Sequence, residues 1–253
     1  MRKTPRLLVA LALAAASPAA NAIVGPSQTG GPSQTGGPLE PHAVMLLKTT
    51  GGASGFCTGI VVSARAILTA AHCVTVAANM RVHYRDAAGA PVLKPVSAVA
   101  VHPGYVADGK QRRVVTIDMA LVLAAEPLGG RFAPARLSDG EAFAAGDALT
   151  LAGFGLGREG EAKSSGVFRH AAITVRAPLS KILLWAHDAG RKGTGACTGD
   201  SGGPIFSAAS GAVLAITAWA DGDPRHLCGD LTQGVLVAPQ REWIDGVLKG
   251  WGE

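Results

Sequence analysis

The chain has 253 residues, of which 48% are hydrophobic and 16% are charged, so it can bury a substantial core and is not disordered as a whole. Its formal net charge of +5 owes much to Arg2, Lys3 and Arg6; without them 20 basic residues face 18 acidic ones, a net charge of about +2. Since no Lys/Arg cluster with interleaved aromatic residues occurs elsewhere, nucleic acid is not expected as a partner.

The first 22 residues are typical of a secretory signal peptide. A basic start is followed by an apolar run over residues 7–16 and by Ala20-Asn21-Ala22, which has the small-x-small pattern of a cleavage site. The apolar run is shorter than the ~20 residues that span a bilayer. We therefore expect a secreted or periplasmic protein with no membrane contact after removal of residues 1–22.

Residues 25–36 contain the hexapeptide GPSQTG twice in tandem. These are turn and linker residues without an apolar member, so the repeat predicts a flexible surface segment and no packed element.

From about His42 onward, short apolar or alternating runs separated by Gly, Pro, Asp and Asn predict an all-β domain. Residues 239–248 differ, because apolar residues recur at helical spacing after a proline, which predicts a C-terminal helix. The predicted strands are 43–48, 58–63, 66–69, 80–84, 92–102, 119–123, 148–153, 171–175, 204–206, 213–219 and 234–237.

The four cysteines are expected to form disulfides, because export places the chain in an oxidising compartment. Four cysteines allow three pairings, and counting alone does not choose among them. No pair has Cys-x-x-Cys spacing and the histidines are scattered, so a metal site is not expected. No other sequence feature calls for a cofactor.

Three segments, in the chain order His, Asp, Ser, contain the residue types of nucleophilic catalysis. His72 lies in Ala-Ala-His-Cys, Asp118 in Ile-Asp-Met-Ala-Leu-Val, and Ser201 in Gly-Asp-Ser-Gly-Gly-Pro. A serine hydroxyl attacks a carbonyl only when a base accepts its proton, and an imidazole titrates near neutrality. A carboxylate that accepts the other ring N–H holds the base in one tautomer. The three residues are therefore candidates for nucleophile, base and orienting group.

This order and these flanking residues resemble the chymotrypsin/trypsin family of serine endopeptidases (peptidase family S1), and a secreted bacterial member is expected. The resemblance covers nearly all of residues 23–253, which are assigned to one protease domain. It implies two six-stranded antiparallel Greek-key barrels with the active site in the cleft between them, plus a C-terminal α-helix. It also implies that the backbone N–H groups of Gly199 and Ser201 stabilise the oxyanion.

The resemblance also implies the disulfide pairs. Cys57 would pair with Cys73 around the histidine loop, and Cys197 with Cys228 around the serine loop and the specificity pocket.

In this family a newly freed amino terminus folds inward and pairs with the aspartate that precedes the catalytic serine. Here Ile23-Val24-Gly25 begins directly after Ala22. Removal of the signal peptide alone would therefore activate the enzyme, with the Ile23 amine paired to Asp200.

The specificity pocket, assigned by resemblance, consists of Gly195, Trp219, Ala220 and Gly234. Gly195 stands where trypsin-like members with basic specificity have an aspartate, so an uncharged apolar or aromatic residue is expected before the scissile bond. One departure concerns Ala218, which replaces a serine that usually hydrogen-bonds the triad aspartate.

The sequence predicts a monomeric serine endopeptidase (hydrolase class EC 3.4.21) whose partners are polypeptide substrates and proteinaceous serine-protease inhibitors. A catalytically silent binding protein of the same family is one alternative, although loss of a triad member, its usual mark, is absent. An esterase-type acyl hydrolase is another. It usually has Gly-x-Ser-x-Gly and the order Ser, Asp, His, which this chain lacks.

Overall fold

A computed structural model of the chain describes residues 23–24, 37–190, 193–222 and 226–253. The expected signal peptide (1–22) and the GPSQTG repeat (25–36) lie outside the described residues. Within the described ranges, no helix combines the length and the apolar character needed to cross a membrane.

The N-terminal barrel is a closed, antiparallel sheet of six strands in the order β1-β2-β3-β6-β5-β4. Its interior is filled by side chains such as Leu46, Ile67 and Val122, which are fully buried. Successive residues of a strand point to opposite faces of the sheet, so the apolar residues of each strand collect inside. Its strands are β1 (Ala43–Thr50), β2 (Ala53–Val61), β3 (Ala66–Thr69), β4 (Met80–Arg85), β5 (Pro91–Val101) and β6 (Ala120–Ala124).

The C-terminal barrel is built in the same way, in the order β10-β11-β12-β9-β8-β7. Leu149, Leu151, Leu184 and Ile205 are buried in its core. Its strands are β7 (Ala148–Gly153), β8 (Arg169–Val175), β9 (Leu183–His187), β10 (Pro204–Ser207), β11 (Val213–Asp221) and β12 (Leu231–Leu236).

Two α-helices and five short 3-10 turns complete the described structure. The longer helix, α2 (Arg241–Trp251), buries Ile244 in a core shared with both barrels and ends at Gly252, whose φ of 74° is left-handed. A glycine adopts that conformation without steric cost, which makes it a common residue just after a helix. The other elements are α1 (Gly109–Arg112) and the 3-10 turns Glu40–His42, Ala71–Cys73, Ala77–Asn79, Ala162–Ser164 and Ala238–Gln240.

The predicted architecture of two six-stranded barrels and a C-terminal helix is confirmed. Strand β9 was not predicted, since Leu-Leu-Trp-Ala-His is a short run without alternation and acquires its hydrogen bonds from β12 and β8. Strand β2 also begins earlier than predicted, because residues 53–57 pair with β1 across the turn at Gly51-Gly52.

Candidate active site

His72 and Asp118 meet because the strands that precede and follow them are neighbours. His72 lies in a 3-10 turn after β3, Asp118 lies two residues before β6, and the two strands pair at Thr69 and Ala120. The Nδ1 of His72 is 2.7 Å from Asp118 Oδ2, and the backbone N–H of His72 donates to Asp118 Oδ1 at 2.9 Å. With Nδ1 protonated, Nε2 is left as the proton acceptor.

Both oxygens of the Asp118 carboxylate therefore accept hydrogen bonds from His72. The position of the expected serine is occupied by Ala218, which has no hydroxyl to offer. The two hydrogen bonds that the carboxylate accepts therefore both come from His72. Burial, with a further contribution from the Asp118 charge, raises the pKa of the nearby Tyr105 phenol.

Lys48, which the sequence analysis did not single out, lies beside this pair. Its Nζ donates to the backbone carbonyl of His72 at 2.5 Å. Burial lowers the pKa of the Lys48 ammonium, while the negative charge of Asp118 acts in the opposite direction. A lysine in β1 has no local sequence signal that points to the histidine loop, so this contact follows only from the barrel.

Ser201 reaches the same place from the C-terminal barrel, in the loop before β10. Its backbone carbonyl accepts a hydrogen bond from Thr58 N–H at 2.9 Å and lies 3.7 Å from Cys73 Sγ. The same sulfur is 3.6 Å from His72 Nε2, so the serine and histidine loops adjoin one disulfide. Among the described residues, no hydrogen bond joins Ser201 Oγ to the imidazole of His72. Such bonds often shorten only when substrate binds.

The loop before Ser201 needs a glycine at position 199. The φ of Gly199 is +97°, which a side chain disfavours. In addition, a Cβ there would overlap the ring of Phe56 and lie 3.0 Å from Gly155 Cα. The absence of a side chain therefore lets the loop pack directly on the aromatic ring.

Asp200 is fully buried beneath the same loop. Its carboxylate accepts hydrogen bonds from the backbone N–H groups of Gly155 at 2.8 Å and Cys197 at 3.0 Å. Burial raises the pKa of Asp200 to about 7, although these two bonds and the positive charge of Arg169 act to lower it. Among the described residues no ion pair with this carboxylate is formed, and Arg169 acts on it through its charge alone.

Ile23 and Val24 also lie inside the molecule. Ile23 is 2% exposed and packs in the core of the C-terminal barrel. Val24 bridges Gly195, whose backbone N–H donates to the Val24 carbonyl at 3.1 Å. In the full chain the nitrogen of Ile23 belongs to a peptide bond with Ala22 and has no charge.

The four cysteines form two disulfides, Cys57–Cys73 and Cys197–Cys228, and leave no free thiol. Cys57, Cys73 and His72 lie close enough together to suggest a metal site. Both sulfurs are bonded to each other, however, and a metal ligand needs a thiolate.

Two residues of the expected pocket, Gly195 and Gly234, have little free space around their Cα atoms. A Cβ at Gly195 would lie 3.1 Å from Gly229 Cα, so backbone closes this position. Gly234 pairs with Thr217, a buried threonine that was not predicted from the sequence to belong to the site. The hydroxyl of Thr217 has no hydrogen-bond partner in the described part of the chain.

The other two pocket residues lie on β11 and pair with β12. Trp219 is opposite Gln233, and Ala220 is opposite Thr232. Residues 223–225 in the loop that follows lie outside the described residues.

Residues 28–244 match the family model described as Trypsin. "Trypsin, alkaline C" from Manduca sexta is 30% identical over 207 residues, which cover 72% of this chain and 76% of that protein. "Serine protease 56" from Homo sapiens is 29% identical over 232 residues, 79% of this chain. "Phenoloxidase-activating factor 3" from Holotrichia diomphalia is 29% identical over 191 residues, 63% of this chain. The chain spans 36% and 53% of the lengths of the last two.

Solved structures share the fold at low sequence identity. A mouse brain serine protease, neuropsin, superimposes with a TM-score of 0.66 at 21% identity, covering 82% of this chain and 94% of neuropsin. A scabies mite inactivated protease paralogue superimposes with a TM-score of 0.67 at 21% identity, covering 86% of this chain and 99% of the paralogue.

Proposed function

The chain belongs to the trypsin family of serine proteases, and from that premise we propose that it is an exported, active serine endopeptidase. It hydrolyses peptide bonds through Ser201, His72 and Asp118 and an acyl-enzyme intermediate. The finding that supports this most strongly is the pair of hydrogen bonds from His72 to Asp118, next to the loop of Ser201.

The proposed reaction begins with proton transfer from Ser201 Oγ to His72 Nε2 as the oxygen attacks the substrate carbonyl carbon. The resulting oxyanion is stabilised by the backbone N–H groups of Gly199 and Ser201. The imidazolium is stabilised by Asp118 and returns its proton to the leaving amine as the C–N bond breaks. Water then attacks the acyl-enzyme by the same route, which releases the carboxylic acid and restores Ser201.

Export and activation are proposed to be a single event. Cleavage after Ala22 would free the amine of Ile23, and its ammonium would form an ion pair with the buried carboxylate of Asp200. The burial of Ile23 and the bridge from Val24 to Gly195 support an inward position of this segment. N-terminal sequencing of the secreted protein tests the proposal, and a mature start at any residue other than Ile23 would overturn it.

We propose that the pocket formed by Gly195, Trp219, Ala220 and Gly234 takes an uncharged apolar or aromatic side chain. A basic side chain needs a carboxylate, and Gly195 supplies none. As a member of a serine protease family, the protein is proposed to act on polypeptides, and proteinaceous serine-protease inhibitors are expected to bind the same cleft.

The expectation of a bacterial source finds no support among the three relatives, which come from Homo sapiens, Holotrichia diomphalia and Manduca sexta. The main rival function is a silent binding protein, since the fold also occurs in a protein named as an inactivated protease paralogue. The presence of His72, Asp118 and Ser201 favours activity.

The decisive experiment is digestion of a peptide library by the secreted protein, with the Ser201→Ala variant as the matched control. We expect cleavage after uncharged residues by the wild type only, together with covalent labelling of Ser201 by a fluorophosphonate probe. Absence of both cleavage and labelling would favour the silent protein. Labelling with ester but not peptide hydrolysis would favour an esterase.

A further inference from the structure

Thr58, the residue after Cys57 in β2, makes a hydrogen-bonded link between the two barrels. Its side chain is fully buried. The hydroxyl donates to the backbone carbonyl of Gly199 at 2.9 Å and accepts from the backbone N–H of Phe154 at 3.0 Å. A hydroxyl has one proton to donate and two lone pairs, so both bonds form at once.

The backbone of Thr58 is held to the same loop. Its N–H donates to the carbonyl of Ser201 at 2.9 Å, and its own carbonyl accepts from the Thr69 hydroxyl at 2.9 Å. One residue of the N-terminal barrel therefore holds the carbonyls of both Gly199 and Ser201, on either side of Asp200.

The remaining carbonyls of the loop have other partners. Thr198 C=O accepts from Leu156 N–H at 2.9 Å, and Asp200 C=O accepts from Gly203 N–H at 2.9 Å. Among the described residues, the hydroxyl of Thr58 is the only hydrogen-bond donor to the Gly199 carbonyl. Peptide units are planar, so fixing a carbonyl fixes the whole unit. The unit between Gly199 and Asp200 thus depends on this hydroxyl for its orientation.

Gly199 lies between two peptide units. One contains its carbonyl, which Thr58 holds, and the other contains its N–H group. A glycine tolerates many backbone angles, so its neighbouring units stay aligned only if both are held. Without the hydroxyl, the Gly199 carbonyl and the Phe154 N–H would both be buried without a partner. An unsatisfied buried polar group is costly, so the loop would turn to find another partner.

We propose that Thr58 is a positioning residue, whose hydroxyl orients the oxyanion-stabilising N–H groups of Gly199 and Ser201. This rests on the proposed peptidase function. It adds a side chain of the N-terminal barrel to the support of a loop that the C-terminal barrel supplies.

Thr58→Val tests the proposal, because valine keeps the shape of the side chain and removes the hydroxyl. Loss of an oxyanion donor lowers turnover about 10²- to 10³-fold, and a misaligned donor is expected to lower kcat by about 10- to 100-fold with KM nearly unchanged. A peptide boronic acid, which forms a tetrahedral adduct with the serine, should bind more weakly by a similar factor. Thr58→Ser retains the hydroxyl and should restore both values.

Thr69→Val is the matched control. Thr69 is also fully buried in the N-terminal barrel, and its hydroxyl also donates to a backbone carbonyl at 2.9 Å, but that carbonyl belongs to Thr58. Because this carbonyl belongs to Thr58 and not to the serine loop, we expect a smaller fall in kcat for Thr69→Val than for Thr58→Val. A fall in kcat for Thr58→Val no larger than for Thr69→Val, or an equal fall for Thr58→Ser, would overturn the proposal.

A second measurement does not require activity or the valine variant. In NMR spectra of the mature protein, the amide signals of Gly199 and Ser201 should shift and exchange faster in Thr58→Ala than in Thr58→Ser or Thr69→Val. Unchanged signals would overturn the positioning role. If instead these signals change as expected while the wild type hydrolyses no peptide, the proposed peptidase function fails and the positioning role stands.

Discussion

Replacement of Asp200 by asparagine should change how the stability of the uncleaved chain depends on pH. The carboxyl is fully buried, and its pKa is raised from an ordinary value of 3.8 to about 7, chiefly by burial. This difference corresponds to about 4 kcal/mol of destabilisation once the group is ionised in both folded and unfolded states. The side-chain amide of the Asp200→Asn variant has no charge at any of these pH values.

Because the folded protein keeps this proton to a higher pH than the unfolded chain does, the stability falls as pH rises from about 3.8 to about 7. Between about pH 5 and about pH 8 the free energy of unfolding should fall by about 2 to 3 kcal/mol more with Asp200 than with Asp200→Asn. Urea unfolding of the Ser201→Ala chain that retains Ala22 measures this, because autolysis is then excluded. The reasoning would be refuted if the free energy of unfolding changed with pH by the same amount, within about 0.5 kcal/mol, in the chain with Asp200 and in its Asp200→Asn variant.

The same measurement on a chain that begins at Ile23 tests the ion pair. The free ammonium should lower the pKa of Asp200, because an opposite charge favours the ionised form. The loss of stability near pH 8 should therefore disappear, provided the amine itself stays protonated. If the loss of stability persists, the proposed ion pair between Ile23 and Asp200 is wrong. The conclusion that burial of the Asp200 carboxylate is costly would still stand.

Three further predictions concern the loop, the pocket and the disulfides. Gly199→Ala should lower turnover about 10²- to 10³-fold, since the added Cβ meets an aromatic ring and the φ is positive; a change in kcat below about 10-fold would contradict it. Gly195→Asp should reduce cleavage of all peptides without creating cleavage after Arg or Lys, because a Cβ there lies 3.1 Å from Gly229 Cα and backbone must move; efficient tryptic cleavage in initial-rate assays would show otherwise. Replacing both Cys57 and Cys73 by alanine should lower the free energy of unfolding by about 3 kcal/mol, given a sequence separation of 16; chemical denaturation measures it, and a loss below about 1 kcal/mol would count against this expectation.

The all-β fold class could be predicted from local sequence patterns. The one strand that was missed shows which strands such patterns do not predict. Strands with clear alternation or β-branched residues, such as β5 and β11, were predicted close to their observed bounds. Strand β9 is short and apolar, and it becomes a strand because β12 offers it hydrogen bonds. Partners distant in the chain leave no periodicity in the sequence of the strand itself.

The candidate site divides in a similar way. His72, Asp118 and Ser201 stand in distinctive short segments, so they could be named without knowledge of distances. Lys48 and Thr58 stand in ordinary strand sequence, and their contacts with the histidine and serine loops arise only when the two barrels close and pack together.

The residue types of the site, their order, the β-rich architecture and the expected export of the chain could all be read from the amino-acid sequence. Those properties depend on side-chain chemistry and on the spacing of residues that are close together in the chain, and both can be read from short segments of sequence. The pairing of β3 with β6 inside the N-terminal barrel determined which hydrogen bonds hold Asp118. The tertiary structure also determined that Asp200 is fully buried, and the packing of the two barrels determined that Thr58 supports the Gly199 carbonyl. The hydrogen bonds from His72 to Asp118 and from Thr58 to Gly199 join residues that are 46 and 141 positions apart in the chain, and only the folded barrels bring those groups within reach.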